Sequence, residues 1–288
     1  MNTAIEVLRL PLGTDLSGFV GLLRRLDVPY RVSEEGGEQV LWVPDPRLAQ
    51  EVSLLYARFP EGDPQGLVPA APRRASSVFR QLRHSPLTSL ILLATLLVAA
   101  LTLLGENLAT VGWLTFQEFH VRGDYLYFVP LSETLAAGQW WRLLTPMLIH
   151  FGWLHLAMNG LWYWELGRRV EARQGGSMLL FLTLLFGLAS NVAQYLFGGP
   201  ALFGGLSGVL YGLLGHCWIF QRFAPGAAYR LPPGVMTMML VWLLVCLSGL
   251  ITALGLGAIA NAAHVAGLVA GCLTGAIGGA WARSRDQG

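Results

Sequence analysis

Two patterns of apolar residues divide this chain. From about residue 87 onward the apolar positions fuse into runs long enough to cross a bilayer, which takes about 20 predominantly apolar residues in a helix. Six runs qualify, at about 87–104, 147–167, 177–197, 205–221, 234–254 and 260–281. The fourth is short and opens directly at Ser207, so it is expected to start below the membrane surface, with Gly198-Gly199-Pro200 dipping down to it. Irregular backbone at that depth is tolerated only where protein or water shields it. Before residue 60 the pattern is that of a small soluble fold. Residues 4–10 alternate as a strand, Asp15 is placed to cap a helix through about Leu26, and Val28–Val32 and Gln39–Val43 read as strands around Glu34-Glu35-Gly36-Gly37. Pro46–Phe59 reads as a second helix. The order β-α-β-β-α predicts an α+β domain of roughly 60 residues, marginal in size but able to fold. Residues 60–77, rich in Pro, Gly and Arg, read as a linker. The expected fold class is therefore an all-α polytopic membrane protein preceded by a small α+β soluble domain, divided as 1–60, a linker over 61–86, and a six-helix membrane domain over 87–288.

Composition sharpens this division. The chain is 54% hydrophobic and 12% charged, with a mean hydropathy of +0.52, too apolar for a soluble domain of this length. Residues 1–86 carry 20 charged side chains, and the remaining 202 residues carry 16. The net charge of +2 gives no reason to expect a nucleic-acid partner. Cys217, Cys246 and Cys272 all lie in apolar runs, an odd number that argues against a disulfide framework. The N-terminus shows no short apolar core with a cleavage site, so no signal peptide is expected.

Arginine placement predicts orientation. Arg73, Arg74, Arg80 and Arg83 precede the first span, and Arg168, Arg169 and Arg173 follow the second. Arg222 and Arg230 lie between the fourth and fifth, and Arg283 and Arg285 follow the sixth. The other side carries Arg122 and Arg142 alone. Both termini are thus expected in the cytoplasm, and Ser207 begins a span entered from the outer side. The 105–145 segment is rich in Trp, Tyr and Phe. It reads either as an interfacial aromatic belt or as a structured loop in the outer leaflet, and its length favours the loop.

Ser207 and His264 carry the chemistry. A hydroxyl and an imidazole placed in hydrocarbon are functional candidates by default, and together they suggest a nucleophile and its base. Gly205, Gly208, Gly212 and Gly215 line one side of the fourth span, and Gly267, Gly271 and Gly275 the sixth. Such spacing lets two helices approach closely, which would bring His264 to Ser207 at matched depth. After residue 145 the carboxylates are Glu165, Glu171 and Asp286, all near the predicted cytoplasmic face. No acid is left to orient His264, so a dyad is expected. Tyr211, four residues after Ser207, is placed equally well to pack on the imidazole or to be a core aromatic. His155 and Asn159, four apart, point the same way and are candidate donors to an oxyanion, with the Ser207 amide as a third. His150 matches them poorly in direction and reads as structural. With neither His-Glu-x-x-His nor a nearby carboxylate, no metal and no cofactor is expected.

In these residues the chain resembles the rhomboid intramembrane serine proteases, in particular bacterial members with a cytoplasmic N-terminal domain. The resemblance rests on Trp141-Arg142, His150-x4-His155-x3-Asn159, Glu171-Ala172-Arg173, Gly204-Gly205-Leu206-Ser207-Gly208 with Tyr211, and Ala263-His264-x2-Gly267. It departs from that pattern at Thr145-Pro146, where many relatives have another histidine nearby. The resemblance implies a six-helix rhomboid bundle with Ser207 as nucleophile and His264 as base. It implies an oxyanion site from His155, Asn159 and the Ser207 amide, a site shaped by Gly205 and Tyr211, and structural roles for Trp141, Arg142, Glu171 and Arg173. It also implies a long first loop in the outer leaflet and a mobile loop at about 254–260 capping the site. The expected partners are transmembrane protein substrates in a bacterial inner membrane, cut near the outer, periplasmic face. The N-terminal domain is a candidate surface for a homodimer. Two rival functions are a catalytically inactive rhomboid-like adaptor or chaperone, although such proteins usually lose the Ser or the His, and a transporter, which the scarcity of intramembrane charge disfavours.

Overall fold

A computed structural model describes residues 4–63, 78–226, 228–255 and 257–286. The chain separates into two compact units, Met1–Ser76 and Ser77–Gly288. Most of the expected linker, with Arg73 and Arg74, lies outside the described residues.

The first unit runs β1 (Ile5–Pro11), α1 (Ser17–Arg25), β2 (Arg31–Glu35), β3 (Glu38–Val43) and α2 (Pro46–Arg58). Its sheet is antiparallel in the order β1-β3-β2. Gly36 and Gly37, at φ +62° and +82°, close the β2–β3 hairpin as a two-residue loop. Positive φ at both positions suits the twist of the flanking strands, and glycine adopts it without strain. One face of the sheet buries Leu41 and Val43 against Phe19, Leu22 and Leu23 of α1 and Val52 of α2. Asp45 accepts from the amides of Arg47 and Leu48 at 2.7 and 3.4 Å, capping α2 ahead of Pro46.

Two sequence expectations shift here. β2 begins three residues later than expected, because Asp27 takes a left-handed turn (φ +55°) and the Val28 amide bonds back to Leu23 O at 3.0 Å. Asp15 bonds the Ser17 amide at 2.8 Å, but Leu16 occupies the cap position. The chain beyond α2 packs back on α1. A Cβ at Gly18 would stand 2.0 Å from Glu61 O, and Arg25 pairs with Asp63.

In the second unit α3 (Val78–His84) leads into α4 (Pro86–Leu101). A structured segment follows: α5 (Leu108–Leu114), the hairpin β4 (Phe119–Arg122) and β5 (Tyr125–Phe128), α6 (Leu131–Ala136), and 3₁₀ turns at Trp140–Leu143 and Thr145–Leu148. The aromatic connection is therefore a folded loop. Among the described residues six further helices follow: α7 (Trp153–Gln174), α8 (Gly176–Gly198), α9 (Ser207–Phe223), α10 (Val235–Leu247), the short α11 (Leu250–Ala253), and α12 (Asn261–Asp286). α8 and residues Asn261–Arg285 of α12 are each long and apolar enough to cross a membrane, whereas α4 and α10 are apolar and shorter. Exposed faces such as Leu90, Leu93 and Leu97 on α4 and Val269, Leu273 and Ile277 on α12 are apolar, as a surface against lipid requires.

α9 sits at the centre, with every residue from Gly208 to Cys217 buried. Its contact with α12 is backbone to backbone. A Cβ on Gly267 would stand 2.0 Å from Gly208 O, and one on Gly271 1.9 Å from Gly212 O. The expected second span starts later than its hydropathy suggests, since Pro146 and Gly152 (φ +85°) hold 145–152 outside the helix until Trp153. The expected fifth span is broken. α10 stops at Leu247, and Gly249 (φ +75°) turns the chain into α11.

Candidate active site

Ser207 is the first residue of α9, and His264 lies one turn into α12. The glycine contact between these helices brings Ser207 Oγ to 2.8 Å from His264 Nε2. The two residues are 57 positions apart and belong to different spans. His264 is 6% exposed. The Tyr211 ring lies against the imidazole, with centroids 5.0 Å apart at 45°. Its hydroxyl donates to Met239 O of α10 at 3.1 Å.

The loop before Ser207 is held from two sides. The Gly205 amide donates to Pro146 O at 3.0 Å, and the Leu206 amide points to His150 Nε2 at 3.5 Å. His150 is fully buried, and its Nδ1 donates to Leu148 O at 3.1 Å. Both ring nitrogens of His150 are thus spent on backbone, which gives it a supporting position. Its poor directional match with His155 has a simple cause: residue 150 precedes the helix, so helical spacing does not apply to it.

His155 and Asn159, on consecutive turns of α7, converge on the other side of Gly205. A Cβ placed on Gly205 (φ +113°) would stand 2.7 Å from His155 Nε2 and 3.4 Å from Asn159 Nδ2. His155 Nδ1 accepts the Phe151 amide at 3.3 Å, so the proton sits on Nε2 and faces that space. Two side-chain donors therefore border the space beside Gly205, two residues before Ser207. Ser207 also lines a cavity of about 10 Å³ with Met147, Ser190, Asn191 and Val209, room for about one water.

Arg142, Trp141 and Glu171 support the fold largely through backbone groups. Arg142, 3% exposed, donates to Gly112 O at 2.5 Å and Thr115 O at 3.1 Å, and Trp141 donates to Trp113 O at 2.9 Å. Both pin α5. Glu171 accepts from the amides of Leu87 and Thr88 (2.8 and 2.9 Å) and the Thr88 hydroxyl (2.6 Å), so it caps α4 from a distant helix. Arg173 stacks over Phe220 with 5.9 Å to the ring centroid.

Sequence reasoning passed over several polar residues in the spans. Asn191 donates to Leu143 O at 2.9 Å, and Gln194 accepts the Ala263 amide at 3.3 Å. Gln174 accepts from His216 Nε2 at 2.9 Å and from the Tyr229 hydroxyl at 2.6 Å. The signal that marked Ser207 and His264, a polar group in an apolar run, marks these as well. Among the described residues no three His, Cys, Asp or Glu side chains come together around a common point.

Comparison with known proteins gives the chain a family. Residues 137–281 match the Rhomboid domain model and residues 1–69 the Rhomboid N-terminal domain model. The chain is 34% identical over 258 residues to the rhomboid protease GlpG of Serratia proteamaculans (strain 568), covering 88% of this chain and 90% of that protein. It is 36% identical over 204 residues to the GlpG proteins of Yersinia pestis (strain Pestoides F) and Yersinia pseudotuberculosis serotype O:3 (strain YPIII), covering 70% of this chain and 66% of each relative. The chain belongs to the rhomboid family: it is a membrane-embedded serine protease, with a rhomboid N-terminal domain ahead of its membrane domain.

Proposed function

We propose that this protein cuts transmembrane segments of other membrane proteins near the outer face of a bacterial inner membrane, with Ser207 as nucleophile and His264 as base. The observation that carries the reading is the 2.8 Å contact between Ser207 Oγ and His264 Nε2. In that mechanism Oγ attacks the scissile carbonyl carbon as its proton passes to Nε2. The negative charge gathers on the carbonyl oxygen beside Gly205. There the Nε2–H of His155, the Nδ2–H of Asn159 and the Ser207 amide stabilise it. His264 then hands its proton to the departing amine, leaving an acyl group on Ser207. A water, deprotonated by the same imidazole, releases that group.

Substrate preference follows from space and from hydrogen bonding. An intact helix hides its carbonyls in i→i−4 bonds, and unwinding it in lipid leaves polar groups unsatisfied. Segments already weakened by Gly or Pro are favoured for that reason. The cavity of about 10 Å³ that Ser207 lines favours a small side chain at the cut. The arginine distribution supports cytoplasmic termini and an outward-opening site. Exposure to a fluorophosphonate tests the reading. Covalent labelling of Ser207 that disappears in His264→Ala is expected. A folded protein that stays unlabelled and uncleaving is the inactive adaptor instead.

A further inference from the structure

Three buried side-chain atoms have no hydrogen-bond partner among the described residues: Ser190 Oγ, Asn261 Oδ1 and His264 Nδ1. Two of them sit on the first turn of one helix, three residues apart. Their chemistry is complementary. To take the Ser207 proton, His264 must present a bare Nε2, so its one proton belongs on Nδ1. That makes Nδ1–H a buried donor without an acceptor. Asn261 is the reverse. Its amide Nδ2 donates to Cys246 O at 3.1 Å. Because a backbone carbonyl can only accept, the amide orientation is fixed and Oδ1 is left as a buried acceptor without a donor. Residues i and i+3 are neighbours on a helix surface. Helical side chains also lean toward the N-terminus, so the imidazole of His264 lies over the turn that starts at Asn261.

We propose that Asn261 is a positioning residue for the base: its side-chain carbonyl accepts the Nδ1–H of His264 through one bridging water, and selects the tautomer whose bare Nε2 faces Ser207. This rests on the dyad reading above and deepens it. A buried donor and a buried acceptor left apart are both destabilising, and one link removes both defects. The arrangement has the logic of a triad whose third member is a neutral amide, as in Cys-His-Asn hydrolases. It also joins the base to α10, because the same amide holds Cys246 O at the end of that helix.

Ser190 is the rival acceptor. Its hydroxyl faces the α9–α12 seam, 2.5 Å from a Cβ built on Gly208 and 3.1 Å from one built on Gly267, and it lines the cavity with Ser207. It thus borders the cavity at Ser207, whereas Asn261 shares the first turn of α12 with His264.

The test reads the tautomer and turnover separately, on the full-length protein in detergent. The ¹⁵N shifts of His264 in the wild-type protein are expected to give a protonated Nδ1 and a bare Nε2. A mixed or reversed tautomer overturns the proposal, and this readout needs no variant to fold. Asn261→Leu keeps shape and removes the acceptor. It is expected to scramble the tautomer and lower kcat on the order of 10²-fold with KM unchanged, less than the ~10⁴-fold seen when a charged orienting group is lost. Asn261→Asp keeps an acceptor while losing the amide donor to Cys246 O, and is expected to retain the wild-type tautomer and most of kcat. If the Asp variant falls as far as the Leu variant, the tie to α10 is what matters and the proposal fails. It fails equally if Ser190→Ala, rather than Asn261→Leu, changes the tautomer. Should Ser207→Ala still cleave, the dyad reading falls, whereas the ¹⁵N shifts still report the Asn261 link by themselves.

Discussion

Ser207 and His264 face each other through Oγ and Nε2, and His155 and Asn159 turn their side chains toward Gly205. His155 shows how this works: the Phe151 amide occupies Nδ1 and leaves Nε2–H to donate. Ser207→Ala and His264→Ala are each expected to abolish cleavage of a model membrane substrate with helix content unchanged. The double variant should be no slower than either single, because groups acting as a unit lose function non-additively. His155→Ala and Asn159→Ala are expected to slow turnover by up to about 10²–10³, the loss typical of one oxyanion donor. A steady-state assay separates these outcomes, and unchanged turnover in both single variants removes the oxyanion assignment. The pairing of Ser207 with His264 was legible because neither residue has a reason to be in an apolar run unless it is used. Tyr211 was legible as far as its face of the helix. Its anchor on Met239 O was not, since a backbone carbonyl on another span leaves no trace in composition. Asn261 was overlooked because it reads as a helix start.

The decisive element is the α9–α12 seam, where distance between helices becomes distance between reacting atoms. Gly271→Ala would push a methyl carbon to 1.9 Å from Gly212 O. Overpacking of this kind costs about 1–3 kcal/mol and moves backbone, so a lower thermal midpoint and a loss of activity are expected. Gly160→Ala, whose methyl would meet Leu92 Cδ2 at 3.9 Å, is the matched control and should be near neutral. Equal melting and activity in the two variants would discard the seam as the positioning device. The seam was legible in the glycine spacing of both spans. Element ends were not. Hydropathy continues through Met147–Ile149 although Pro146 and Gly152 keep them out of α7, and it continues through 248–254 although Gly249 turns the chain. Apolar burial in a membrane fixes which residues avoid water, and it says little about where a helix stops.

For the whole molecule, the charge step near residue 86 made the two units legible, because a folded soluble domain and a lipid-facing bundle need opposite surfaces. Every group assigned to the chemistry lies in the second unit. Protein lacking residues 1–76 is therefore expected to cleave in detergent at a rate within a few-fold of the full chain. A folded truncated protein without activity would make the first unit part of the site. The edge strands β1 and β2 of its sheet leave backbone groups open to a second copy, and sedimentation of the isolated 1–76 fragment against the membrane unit would locate any dimer contact.

The shortness of some spans has a consequence for the bilayer itself. At 1.5 Å per residue, the 13 residues of α10 reach about 20 Å and the 16 of α4 about 24 Å, against a hydrocarbon core about 30 Å thick. The 23 residues of α8 and 26 of α12 reach about 35 and 39 Å. Two of these helices thus match an ordinary membrane and two are too short for it. Lipids beside the short helices must tilt or compress, at a fraction of a kcal/mol per Å of mismatch. A substrate helix arriving there finds its ends pulled toward water before any contact with Ser207. Vesicles of short-chain phospholipid relieve the mismatch and long-chain vesicles increase it. Cleavage rates that vary with acyl length at constant headgroup, while detergent rates stay fixed, are the expected mark of a protease that works on the membrane as well as in it.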